Sequence, residues 1–251
     1  MNIGQCKLCL KENVDLLRKS HIIPDFFHTG LKNENGKYSL VLPDAYVKGR
    51  KQHLKSPSGA MFESDLLCAN CDNNIIGSYE MSLSKMLKQN KDNSIPFSHE
   101  GKNYRIYKNV EYDKIKLGLL SILWRASIAE NEMFEQVNIN SNHAETIRLM
   151  ILNNDAKDVS HYPVLCYLFN ENDEKLITEP RFLDEVPHQK AQFIINGYMY
   201  LFIIGVDSSF SPLLVPNFSG EWFLEIMDEN YLKKHISQLM EFKKEKLNNK
   251  G

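Results

Sequence analysis

Apolar residues change their spacing along this chain, and the changes mark its elements. Ile75, Ile76, Tyr79, Leu83, Met86 and Leu87 recur at helical intervals and predict a helix that opens at a C-x-x-C pair and runs to about Gln89. Residues 112–129 (YDKIKLGLLSILWRASIA) are apolar on nearly every side, which predicts a mostly buried helix. A further helix is predicted over 144–152, with Ser141 or Asn142 as its cap. Strand-like runs follow at 162–169, 192–196 and 199–206, and the last two read as a hairpin turned at Asn196-Gly197. The tail, 228–246, has helical spacing and a basic end that suits the helix dipole. Polar stretches separate these elements. Residues 28–60 read as an insertion or long loop with a short strand at 38–42, and 90–103 (NKDNSIPFSHEGKN) as a linker. Residues 1–27 hold a cysteine knuckle followed by a strand-like or hairpin stretch. The pattern predicts an α+β protein in two parts: a cysteine-bearing unit over 1–92, and an α+β domain with an antiparallel sheet over 104–251.

Composition narrows the class only a little. The chain has 251 residues, 43% hydrophobic and 25% charged, enough for a substantial core. Its longest apolar run, 193–206, is broken by Asn196 and two glycines, so no membrane span and no membrane partner are expected. The residues before Cys6 lack the apolar core of an export signal, and a cytoplasmic location is the expectation. The net charge of −2 divides unevenly, +4 over residues 1–105 and −6 over the rest. A basic N-terminal part suits a polyanion, although +4 over that length is also unremarkable.

The cysteines change the picture. Four of the five form two C-x-x-C pairs, Cys6/Cys9 and Cys68/Cys71, with 58 residues between the pairs. In a reducing compartment this pattern points to a metal rather than to disulfides. Zinc takes four thiolates in a tetrahedron, and each C-x-x-C turn offers two. The second pair lies where a helix begins, which helps keep its thiolates ionised. Paired reducing dithiols are the alternative, but neither pair sits in a strand–C-x-x-C–helix unit. Cys166 reads as a core residue.

Between the pairs runs Ser20-His21-Ile22-Ile23-Pro24, and the second pair reads Leu67-Cys68-x-x-Cys71-Asp72. This order resembles the zinc-stapled HNH endonucleases, the ββα-metal or treble-clef nucleases, over roughly residues 4–85. The resemblance implies a treble-clef zinc domain in which His21 is the general base and Asp72 a ligand of a catalytic Mg²⁺ or Mn²⁺. The position before His21 is usually a metal ligand and here is Ser20. The family's Asn shortly before the second pair is not matched by Glu63, Ser64 or Asp65. Glu80, eight residues after Asp72, offers a further ligand. The chemistry asks for these types: an imidazole titrates near neutrality, and carboxylates suit a hard cation that cysteines would not hold. Lys48, Arg50, Lys51 and Lys55 form a basic stretch suited to phosphate contact.

Each residue also has a plainer reading. His21 fits core packing, Asp72 fits a helix cap, Glu80 fits an exposed helix face, and the basic stretch fits a solvated surface. Arg125, inside an apolar helix, needs a carboxylate such as Glu130 or Glu145, or else reaches a phosphate. The aromatic run 198–202 fits sheet core better than base stacking. The expected function is metal-dependent cleavage of DNA, and the resemblance implies a role in defence against foreign DNA or in mobile-element biology. The alternative is a non-catalytic zinc module that binds nucleic acid or protein. A protein partner or a second copy, engaged through the C-terminal domain, is the further partner expectation.

Overall fold

The computed structural model describes residues 2–28, 31, 61–89, 94–169, 177–183, 188–206 and 220–227. The N-terminal elements are very short. Strands β1 (Asn2–Gly4) and β2 (Val14–Leu16) pair antiparallel around the first C-x-x-C turn. Strands β3 (Ser20–His21) and β4 (Phe62–Glu63) form a second antiparallel pair. Neither pair could stand alone in water. A π-helical segment, Asn70–Ile76, then leads into helix α1 (Gly77–Gln89).

The second half supplies most of the regular structure. Helix α2 (Tyr112–Ser127) is buried without a break from Ile115 to Ala126, the property expected of a helix apolar all round. Gly118 allows α1 to approach it closely, since a Cβ there would lie 3.2 Å from the Tyr79 carbonyl oxygen. Helix α3 (Ser141–Leu152) packs on α2. Its cap is Asn140, whose side chain accepts from the His143 N–H at 3.0 Å, so Ser141 and Asn142 lie inside the first turn instead of capping it.

A seven-stranded sheet is built from β5 (Ile95–His99), β6 (Lys102–Lys108), β7 (Val164–Leu168), β8 (Arg181–Leu183), β9 (Lys190–Ile195), β10 (Tyr198–Ile203) and β11 (Glu221–Ile226). Its order is β5-β6-β11-β7-β10-β9-β8. All neighbours are antiparallel except β11 and β7, which run parallel through Glu225↔Tyr167 and Ile226↔Leu168. The expected antiparallel sheet is therefore a mixed one. Two antiparallel blocks, each built largely from hairpins, meet where β11 inserts between β6 and β7.

The linker expected at 90–103 is corrected as well. Residues 95–99 are an edge strand, joined to β6 through Glu100-Gly101, both at positive φ. Polar residues and Pro96 disguise it, and an edge strand is where both are tolerated. The hairpin at Asn196-Gly197 is as expected. Tyr198 pairs with Ile195, and the two turn residues have φ of 49° and 86°, as a type I′ turn requires. Gly197→Val places a β-branched residue in left-handed backbone. It should cost about 1–3 kcal/mol, read as a lower denaturant midpoint with unchanged slope.

One hydrophobic cluster runs through both halves of the chain, from Cys6 and Leu8 through Leu83, Leu120 and Ile151 to Tyr200 and Leu224. The Phe27 and Tyr200 rings meet edge to face at 5.9 Å, across the two stretches that composition separates. The strand expected at 38–42 and the helix expected at 228–246 lie outside the described residues. No helix among the described residues is long and apolar enough to cross a membrane.

Candidate metal centre and the neighbouring polar site

The first knuckle is shaped by its backbone. Cys6 N–H donates to the Lys11 carbonyl at 3.1 Å, Leu10 N–H to the Cys6 carbonyl at 2.9 Å, and Leu10 itself has φ of 59°. The second pair is brought alongside by Lys7 N–H to the Leu66 carbonyl at 3.0 Å and Leu17 N–H to the Leu67 carbonyl at 2.9 Å. As a result the ligand atoms of Cys6, Cys9, Cys68 and Cys71 all lie within 4.8 Å of one another. A tetrahedron with Zn–S bonds of 2.3 Å needs sulfurs about 3.8 Å apart, so the four-thiolate set suits a metal such as zinc. None of the cysteines is in a disulfide.

Electrostatics at the cluster are uneven. Burial raises the Cys6 thiol, but backbone N–H groups of Cys68, Cys9 and Leu8 outweigh it and lower its pKa overall. Burial, together with the neighbouring Cys6 charge, pushes Cys71 strongly upward. Four thiolates this close repel one another, and a divalent cation at their centre removes that conflict. Outside the cluster, Arg148 on α3 donates to the carbonyl of Leu8 within the knuckle. Its Nε and Nη2 hold Glu145 through a bidentate pair, each bond 2.7 Å. The knuckle is thus braced from the C-terminal half.

Beside this centre lies a second group of polar residues. β3 carries Ser20, which is completely buried, and His21, which is half-buried. Asp72 follows Cys71 at the start of the π-helical segment. Its carboxyl lies above the usual carboxylate range because it is desolvated, while the Arg125 charge, the Ser20 hydroxyl and His21 pull it back. Ser20 Oγ and Asp72 Oδ1 are both buried, and the hydroxyl lies close enough to help hold the carboxylate. Two such oxygens are a partial donor set for a small hard cation, whose other positions water and phosphate can fill.

Glu80 is engaged differently. Its Oε1 accepts from Arg125 Nη2 at 2.7 Å, and it is 23% exposed while Arg125 is 1% exposed. Arg125 therefore meets Glu80, not Glu130 or Glu145, and its burial rules out the direct phosphate contact considered for it. The local backbone explains how Glu80 comes round to this face. In an ideal α-helix, residues eight apart are about 80° out of phase. The π-helical segment, closed by Gly77 N–H to the Asp72 carbonyl, holds more residues per turn and reduces that offset. Asp72 and Glu80 then both face Arg125.

The structure brings the four cysteines together as expected and sets Ser20, His21, Asp72, Glu80 and Arg125 beside them. Among the described residues, only the cysteines form a group of three or more metal-ligating side chains. The expected trio of His21, Asp72 and Glu80 does not close into one. Lys48, Arg50, Lys51 and Lys55 lie outside the described residues. Cys166 is fully buried, as its apolar neighbours suggest. The Arg125–Glu80 link escaped sequence reasoning. An arginine in an apolar helix signals that a carboxylate is needed, but nothing local says which one. The chain matches no family model, no curated protein and no solved structure, so its own geometry carries the functional reading.

Proposed function

We propose that the N-terminal unit is an HNH-like endonuclease site that hydrolyses DNA phosphodiester bonds in the cytoplasm, in defence against foreign DNA. The reading is supported by the chain order: a cysteine knuckle between two strands, a second strand pair bearing His21, and a helix that opens with the second cysteine pair. The treble-clef reading expects such an order. The observation that carries the reading is the meeting of β3 with the start of the helix, where the buried oxygens of Ser20 and Asp72 lie beside His21.

His21 acts as general base, its imidazole taking a proton from the attacking water. Asp72, with the Ser20 hydroxyl, holds a Mg²⁺- or Mn²⁺-like cation, which supplies charge stabilisation at the phosphate and the leaving oxygen. Glu80 keeps its charge for Arg125. The cysteine cluster takes zinc and fixes the relative placement of β3 and the helix.

Supercoiled plasmid incubated with the protein and Mg²⁺ or Mn²⁺ tests this. His21→Ala should nick about 10²–10⁴-fold more slowly than the wild type. Equal rates would sink the mechanism. A second reading, a non-catalytic zinc module, is favoured by the Arg125–Glu80 pair and by Ser20 standing where the family keeps a ligand. It expects retarded DNA or a captured protein partner, with no nicking by either form.

A further inference from the structure

Arg125 is 104 residues from His21 and 45 from Glu80, yet one side chain holds both. Its Nη1 donates to the backbone carbonyl of His21. Its Nη2 donates to Glu80 Oε1 at 2.7 Å and to Ser121 Oγ at 3.2 Å, and its Nε to the Ser121 carbonyl at 3.1 Å. A guanidinium is a rigid planar fork, so these bonds fix directions as well as distances. The strand it grips makes few backbone bonds of its own. β3 is two residues long and pairs with β4 only through Ser20↔Glu63 and His21↔Phe62, extended by Ile22 N–H to the Met61 carbonyl at 2.7 Å. Glu80 lies on α1, which continues directly from the segment bearing Asp72. The guanidinium therefore spans the His21 strand and the Asp72 helix from a third element, α2.

We infer that Arg125 is a positioning residue for the His21 site, through which the C-terminal half sets the spacing of strand and helix. Its catalytic consequence rests on the nuclease reading; its structural consequence does not. An ion pair alone would be satisfied by any cation opposite Glu80. Positioning requires the fork, because an ammonium can neutralise Glu80 but cannot also reach the His21 carbonyl and Ser121 in the same geometry.

Arg125→Lys in the full chain separates these roles. Zinc content, amide exchange resolved by residue, and kcat and KM for plasmid nicking are measured beside the wild type. Positioning predicts unchanged zinc content and faster exchange at the His21 and Ile22 amides than in α3. It also predicts a fall in kcat of about 10- to 100-fold with KM nearly unchanged. Unchanged exchange at β3 with unchanged kcat overturns the inference. So does a loss that tracks zinc release and loosens all elements equally, which is what a purely structural residue would give. A wild type that never nicks DNA defeats the nuclease reading instead, and exchange at β3 then decides the positioning role alone. Should Arg125→Lys not fold, Glu80→Gln, which removes the charge but leaves an oxygen for Nη2 and the Nη1 bond to His21, takes its place: positioning by the fork predicts β3 exchange near wild type, and loosening of β3 overturns it.

Discussion

Cys71→Ser is expected to empty the cysteine cluster of metal and unfold the N-terminal unit. The strands there are two or three residues long, too short to hold their own pairing. Their apolar residues, Leu8, Leu16, Ile22 and Ile23, join the common core, but the knuckle backbone around them follows irregular paths. A structural zinc site supplies about 10–16 kcal/mol in small zinc-finger peptides, as much as the whole stability of an ordinary domain. Part of that acts on the unfolded chain. A link across about 60 residues removes roughly 4 kcal/mol of chain entropy on the loop-closure estimate. Metal analysis should show about one zinc per wild-type chain and none in the variant. Protease should then cut within residues 1–90 of the variant first. A strong chelator should reproduce the effect on the wild type, with recovery on adding zinc back. A metal-free variant with the wild-type melting curve would show that the four thiols are packing residues only.

Glu80→Ala should destabilise the protein by about 3 kcal/mol or more, whether or not Mg²⁺ is present. The change removes the carboxylate opposite Arg125, which is itself 1% exposed. Losing one partner of a buried pair typically costs about 3–5 kcal/mol, and here the Asp72 carboxyl that also faces Arg125 offsets part of the lost compensation. Glu80 is itself partly exposed, so the lower end of that range applies. A ligand of a catalytic cation would behave in the opposite way. Its removal would spare, or even raise, stability and would weaken the Mg²⁺ dependence of activity. Denaturant unfolding with and without Mg²⁺ distinguishes the two. A variant as stable as the wild type would mean that Arg125 finds another partner or that Glu80 serves a cation.

The parts legible in the sequence are those set by short-range pattern. The helical spacing after Cys71, the apolar run of α2 and the Asn196-Gly197 turn all carry their cause within a few residues. The cysteine cluster was legible for another reason: few side chains share that chemistry, so two close pairs nearly dictate one site. What was hidden depends on distant partners. β5 looks like a linker because it is a mostly exposed edge that pairs, among the described residues, with β6 alone. The parallel register of β11 against β7 joins residues nearly sixty apart and leaves no local trace. Glu80 reads equally well as ligand, surface residue or counter-ion until Arg125 is placed opposite it. The π-helical segment is hidden too, because the residues of NCDNNII fit an ordinary helix start just as well.

The two clamps around β3 and β4 bear on how this chain can diversify. Forty residues separate His21 from Phe62, and both ends are pinned, by the strand pairing on one side and by the cysteine cluster close to it in sequence on the other. Doubling the length of a flexible loop between fixed ends costs only about 0.6 kcal/mol. Ile22, Ile23 and Phe27 at the start of this stretch are core residues, so its tolerance lies in its length and not in those positions. The link between β3 and β4 can therefore change in length at little cost to the strand pair that carries Ser20 and His21.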